Sequence, residues 1–246
     1  DEGPTLLAAR ASQALGLAHN RPASIETAGN KLRLREVLTA AGLPQARFDV
    51  LPIEGPAKNR IGFPCVVKPL AMSASRGVVR ADDQVGFAAA FDRVATIVRA
   101  EDPGLRNPAS RSVLVESFLP GVEVALEGLL DNGVLTTLAI FDKPDPLDGP
   151  FFEETIYVTP SRLGSSEQEA VERAVALAVS AVGLHSGPVH AEVRFDGQHA
   201  YVLEVAARSI GGLCGRTLRF GTGINLEELI VRHALGENVE AAREAQ

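Results

Sequence analysis

YVLEVAARSIGG, residues 201–212, begins as a buried β-strand would: Tyr201, Val202, Leu203 and Val205 are apolar and β-forming. Glu204 interrupts that run, and Arg208 and two glycines follow at once. A carboxylate inside an apolar strand needs a partner, because an isolated buried charge is too costly to keep. Upstream, HAEVRFDG (190–197) carries a second carboxylate, Glu192, on another short β-like run, and the FDGQHAY between them reads as a hairpin connection. Two acids on paired strands suggest a cation.

The chain has 246 residues, 46% of them hydrophobic, enough to bury a full core as one large domain or two small ones. A formal net charge of -7 without any basic run weighs against a nucleic-acid partner, although a local basic cleft can still hold a phosphate ligand. Cys65 and Cys214 stand far apart in apolar stretches, with neither a metal-type spacing nor a disulfide framework, which fits a reducing compartment. AVALAVSAVGL (174–184) is too short to span a bilayer and there is no signal peptide, so the expected location is the cytoplasm, with no membrane partner. The chain opens at Asp1, directly before the helix-like TLLAARASQALGL, and closes on AAREAQ, as a piece of a longer protein would.

Thr5 to Leu17 has helical spacing, and a second helix, capped by Ser24 or Asn30, carries Leu32, Leu34, Val37 and Leu38 inward before Gly42 and Pro44 stop it. FDVLPI and FPCVVKP read as strands, VGFAAAFDRVATIVRA as an amphipathic helix behind Asp82 and Asp83, and SVLVESFL as a strand. Past the turn-rich DPGLRNPASRS (102–112) come three successive strands, VEVALEGLLDN, GVLTTLAIFDK and FFEETIYVTP, the first two joined by a hairpin at Asp131, Asn132 and Gly133. Ser165 is expected to cap a long helix through Val182. The two acidic strands follow, then two shorter helices, GGLCGRTLRF and NLEELIVRHAL, the latter capped by Asn225. The expected fold class is α+β: a helical lead-in over residues 1–43, one lobe over 44–115 and a second over 116–246, joined near Glu116 to Pro120, with no internal repeat.

Lys68 closes the apolar run CVVKP, and Lys31 opens a helix just after Asn30. A strand-end Lys is as readily a snorkelling surface residue, but Lys68 leads into LAMSASRGV, whose backbone N–H groups and Ser73 and Ser75 hydroxyls can wrap a phosphate. A plain hairpin loop is the alternative, since the segment has one glycine, Gly77, and lacks the Walker spacing. In VESFLPGVEVALEG (115–128), Glu116 and Glu123 bracket a Pro-Gly turn. The backbone of Ser117, Phe118 and Leu119 suits a flat base and Glu123 suits two ribose hydroxyls, unless both acids are simply solvated. Glu192 and Glu204 on neighbouring strands suit Mg²⁺, which takes one or two carboxylates plus nucleotide phosphates. Arg208 then meets a developing phosphate or carboxylate oxygen, or else forms a buried Glu–Arg ion pair. FDKPDPLDGPFFEETIYVTPSRL (141–163) is expected either to face substrates, with Glu154 on an ammonium and Lys143 on a carboxylate or phosphate, or to be a solvated connection.

Taken in order, Lys31, VVKP with its small-residue loop, VESFLPGVE, AEVRFDG and LEVAARSIGG resemble the ATP-grasp superfamily over roughly residues 28–236, and within it carboxylate–amine ligases of the L-amino-acid ligase, biotin-carboxylase-like type. The resemblance implies two α+β lobes clasping ATP, preceded by the last helix of a pre-grasp domain. It makes Lys31 and Lys68 phosphate-binding lysines, the segment from Ser73 through Ser75 to Gly77 the mobile loop, Glu116, Ser117, Phe118 and Leu119 the adenine hinge, and Glu123 the ribose acid. Glu192 and Glu204 become Mg²⁺ ligands, with Mn²⁺ as an allowed substitute, and Arg208 steadies an acyl-phosphate. The implied reaction joins a small-molecule carboxylate to an amine, amino acids foremost, through that acyl-phosphate, releasing ADP and phosphate; a homodimer is allowed. A bicarbonate-activating component and a nucleotide-binding subunit without catalysis are the alternatives. Two departures stand out: Ala206 replaces the Asn that many members place two residues after the second metal Glu, and the loop is poorer in glycine than in biotin carboxylases.

Overall fold

Two antiparallel four-stranded sheets organise the described residues, 2–221 and 223–237, of the computed structural model; the closing AAREAQ lies outside them. The first sheet holds β1 (Phe48–Pro52), β2 (Cys65–Pro69), β3 (Val79–Ala81) and β4 (Ser112–Ser117) in the order β1-β4-β2-β3. Helix α4 (Gln84–Glu101) starts where the Asp83 carboxylate accepts the Gly86 N–H, and its Phe87, Phe91, Val94 and Val98 pack on Cys65, Val67, Val113 and Val115.

The second sheet holds β5 (Val122–Asp131), β6 (Val134–Lys143), β7 (Gly187–Phe195) and β8 (Ala200–Ala206) in the order β6-β5-β7-β8. Strand β5 is buried on both faces, and its period-two alternation sorts them. Val124, Leu126 and Leu130 join the core with α5 (Ser165–Val182), whereas Ala125 and Leu129 join Phe141, Leu218 and residues of α6 (Leu226–Ala234). Leu126, Leu129 and Leu130 are 0–1% exposed, and each such side chain contributes about 1.5 to 3 kcal/mol relative to an exposed one. A two-stranded ribbon, β9 (Arg219–Phe220) and β10 (Ile224–Asn225), precedes α6, which Asn225 caps by accepting the Glu228 N–H.

The helical lead-in comprises α1 (Glu2–Leu15), α2 (Pro22–Ala28) and α3 (Lys31–Ala40). Asn30 caps α3 through the Leu32 and Arg33 N–H groups, while Ser24 lies inside α2, so the expected second helix is in fact two. Ile25, Ala28, Leu34 and Leu38 pack into the core of the second sheet.

Three local expectations are corrected. Ser165 is the first helical residue of α5 rather than its cap; Gly164 holds the cap position, and the Glu167 carboxylate accepts its N–H at 2.7 Å. FFEETIYVTP is no strand: it meets neighbours at isolated bridges, Phe151 with Val79 and Val158 with Asp142. The Asp145 carboxylate takes the Thr155 and Ile156 N–H groups, at 2.7 and 3.4 Å, that a ladder would need. GGLCGRTLRF yields one 3₁₀ turn, Cys214–Thr217, and then β9, since its three glycines make a longer helix costly.

Candidate functional site

Alternation on the second sheet sends one set of side chains into the α5 core and the other set to the opposite face. That face carries Glu123 and Glu127 of β5, Lys143 of β6, and His190, Glu192 and Arg194 of β7. The register sets Glu123 opposite both Lys143 and Arg194, Glu127 opposite His190, and Glu192 opposite Glu204. A cavity of about 590 Å³ opens over it. Lys31, Lys68, Ser73, Ser75, Glu116, Ser117, Phe118 and Leu119 line this cavity, and so do Glu123, Glu154, Glu192, Glu204 and Arg208. Gly77 and Lys143 are not among its lining residues.

Strand β8 reaches the cavity through a bulge. Glu192 pairs with Glu204, but the next residue, Val193, pairs with Val202, so Leu203 is extra. Val205 and Val202 therefore both face the core, and Leu203 and Glu204 both line the cavity. Arg35 of α3 takes two carbonyls of this edge strand, donating to Val202 O at 2.9 Å and Leu203 O at 2.7 Å. Its Nε donates to Glu116 at 2.6 Å, and Lys68 Nζ lies 2.6 Å from the other Glu116 oxygen. One buried arginine thus ties α3, β4 of the first sheet and β8 of the second.

Expected hinge groups are engaged inside the protein. Burial alone would raise the Glu116 carboxyl, but the Arg35 guanidinium and Lys68 ammonium hold it down to about 2. Burial pushes Lys68 below the ordinary lysine value; Glu116 opposes this and Arg35 adds to it. Beyond Glu116, the Ser117 and Phe118 N–H groups bond to Arg47 O and Pro64 O, and Leu119 O accepts from Arg194 at 2.9 Å. The expectation that this stretch offers open backbone to a flat base is corrected at those three groups, because pairing continues past the end of β4.

Glu116 also carries a pH dependence. The unfolded chain protonates this carboxyl near 4.5 and the folded chain only near about 2. Its contribution to stability is therefore complete above about 4.5 and is lost as pH falls through about 2. Urea unfolding across that window is expected to show a flatter acid loss for Glu116→Gln than for the unsubstituted chain, each referred to its own value at neutral pH. Equal slopes would place the acid sensitivity elsewhere.

Lys143 departs furthest from expectation. Its side chain is 0% exposed, and Nζ donates to Glu123 at 2.8 Å, Glu154 at 3.0 Å and Glu192 at 2.8 Å. Against the effect of burial, Glu192, Glu123 and Glu154 hold its proton well above the ordinary lysine value. The Lys143 ammonium thus points at three carboxylates rather than into the cavity, and Glu154 is shared between Lys143 and the Ser75 hydroxyl, 3.4 Å from both of its oxygens. Glu123, the expected ribose acid, accepts from Arg194 Nε at 3.0 Å through its second oxygen. Glu204 lies 3.2 Å from Lys31 Nζ, which also donates to Met72 O at 2.6 Å. That lysine is the partner the interrupted strand required.

The loop after β2 turns through two successive left-handed non-glycine residues, Ala74 at φ 56° and Ser75 at φ 51°. Such strained backbone clusters at ligand clamps. Gly77 (φ 74°) serves the turn itself: a Cβ there would meet Pro69 at 3.0 Å.

Arg35, Glu127, His190 and Arg194 escaped sequence reasoning. Arg35 sits on the buried stripe with Leu34 and Leu38, and a charge at those positions is the available signal. His190 and Arg194 alternate with Glu192 in HAEVRF, so one period-two reading marks all three. His190 Nδ1 bonds Glu127, whose other oxygen accepts the Ile210 N–H at 2.9 Å and so anchors the segment after Arg208. Despite burial, the hydrogen bonds to Glu127 and Glu192 lift His190 to about 9.

The ATP-grasp domain family matches residues 61–217. Alanine–anticapsin ligase of Bacillus subtilis is 24% identical over 239 residues, covering 91% of this chain and 50% of that protein. The crystal structure of L-amino acid ligase from Bacillus licheniformis superposes with a TM-score of 0.79 at 30% identity, over 100% of this chain and 57% of that one. The biotin carboxylase domain of Hydrogenobacter thermophilus 2-oxoglutarate carboxylase, solved with MgADP, ADP and bicarbonate, superposes with a TM-score of 0.72 at 18% identity, over 96% of this chain and 52% of that one. The chain spans about half the length of these relatives. It belongs to the ATP-grasp family.

Proposed function

We propose that this chain is the nucleotide-binding and phosphoryl-transferring part of an ADP-forming ligase that joins a carboxylate to an amine, with amino acids as the substrate class. The observation that carries the reading is one cavity lined by Lys31, Lys68, Glu192, Glu204 and Arg208 together. The residues fit ATP and Mg²⁺: the lysines match phosphate oxygens, and the two register-paired carboxylates are hard oxygen donors. Mg²⁺, when bound, neutralises charge on the phosphates. Lys31 and Lys68 orient the phosphates, and the loop 72–78 covers them. Arg208 faces the oxygens that gain charge as phosphate passes to the substrate carboxylate. Phe118 and Leu203 supply the apolar walls for the base. The lobe division at 44–115 and 116–246 is part of this reading, supported by a separate core for each sheet.

Catalysis here rests on positioning and on charge placed in advance. The test is phosphate release from ATP with Mg²⁺, compared between pooled amino acids and bicarbonate plus biotin. Release that depends on amino acids, with an amide-linked product by mass spectrometry, is expected; release that depends only on bicarbonate would favour a carboxylase component. Calorimetric titration of Lys68→Ala with ATP is expected to lose about 1.5 to 3 kcal/mol of binding energy, the scale for one charged hydrogen-bonding partner. Unchanged affinity would remove Lys68 from the phosphate site.

A further inference from the structure

We propose that the Lys143 ammonium is the resident cation of the acidic cluster, and that a divalent ion takes Glu192 only by displacing it. This rests on Glu192 as a metal carboxylate. Glu123, Glu154 and Glu192 each offer an oxygen within 4.8 Å of the others. Lys143 Nζ sits among them at 2.8, 3.0 and 2.8 Å, so all three ammonium donors are used. The strand register builds the cage: Lys143 faces Glu123 across β5 and β6, and Glu192 faces Ala125 across β5 and β7. Other charged and polar groups close its sides. Arg194 Nε holds Glu123 at 3.0 Å, His190 Nε2 lies 3.8 Å from Glu192, and the Tyr157 ring centre is 5.4 Å from Lys143 Nζ.

The two ends of the Lys143–Glu192 pair differ in access. The Lys143 side chain is 0% exposed, whereas that of Glu192 is 22% exposed and lines the cavity. A cation arriving from the cavity meets Glu192 on its open side, with the ammonium already on the closed side. Two cations on one carboxylate repel strongly in a low-dielectric site. Occupancy by a divalent ion therefore loosens Lys143 from Glu192 while Glu123 and Glu154 retain it. Lys31 guards Glu204 in the same way, at 3.2 Å. The arrangement keeps the acids neutralised before any ligand arrives and lowers the affinity for bare metal, because the competent state must first be reached.

The test is a titration of Mn²⁺ alone, followed by electron paramagnetic resonance, on the full chain and its Lys143→Met variant without nucleotide. The variant is expected to bind Mn²⁺ roughly 10- to 100-fold more tightly, since displacement of the ammonium no longer opposes binding. Equal or weaker affinity overturns the proposal. If Lys143→Met does not fold unaided, Mn²⁺ standing in for the ammonium must restore its cooperative melting transition, and a chain that stays unfolded in millimolar Mn²⁺ overturns the proposal as well. A separate titration of the unsubstituted chain with ADP tests the nucleotide reading, whose failure would leave the metal-only comparison intact.

Discussion

Arg208→Met is expected to lower single-turnover phosphate release by roughly 10²- to 10³-fold while nucleotide affinity stays nearly unchanged, the scale for losing one electrostatic donor that acts in the transition state. Arg208 follows β8 by two residues and lines the cavity with Glu192 and Glu204. Its Nη1 donates to Ser209 O at 3.1 Å, and Glu127 pins the adjacent Ile210 N–H. The guanidinium is thus presented from a segment held at its base, which suits a group that must be in place before charge develops. A purely structural ion pair predicts the opposite pattern: stability falls by about 3 to 5 kcal/mol because a buried carboxylate is stranded, and activity per folded molecule is normal. Thermal melting and phosphate release on the same variant distinguish the two, and an unstable but fully active Arg208→Met would refute the catalytic role.

Arg35→Met is expected to cost about 3 to 5 kcal/mol of folding stability, the range for removing one partner of a buried ion pair. Arg35 is 1% exposed, and its loss leaves Glu116 with Lys68 alone and the Val202 and Leu203 carbonyls without this donor. Since whole domains are stable by only about 5 to 15 kcal/mol, a loss of this size moves the urea midpoint far down. The slope should stay unchanged if the unfolded state is unaffected. Arg35→Lys should recover only part of the loss, because an ammonium cannot reproduce the planar fork that spans one carboxylate and two carbonyls. A loss below about 1 kcal/mol for the Met variant would show that this three-way anchor is dispensable, contrary to the energetics of buried pairs.

Much of the site was legible in order along the chain. Lys31 opens a helix just after its cap, the strand ending in Lys68 and the Pro-Gly turn between Glu116 and Glu123 lie at strand ends, and the acids at 192 and 204 are polar residues that interrupt β-type runs. The caps at Asn30, Asp83 and Asn225 were equally readable, because capping involves only a residue and its next few neighbours. FFEETIYVTP misled because β-type composition does not reveal that Asp145, ten residues away, captures the Thr155 N–H.

The sequence by itself determined the strand and helix periodicities, the ATP-grasp order of motifs and the kinds of charge the site would hold, since these depend on near neighbours. Tertiary structure decided which charge meets which. The β8 bulge put Glu204 opposite Glu192, and no alternation in YVLEVAA discloses that extra residue. Lys143 found Glu123 from 20 residues away, and Arg35 found Glu116 from 81. Pairing at such separations rests on strand register, burial and distances of a few ångströms, and Coulomb energies in a low-dielectric interior change steeply with all three.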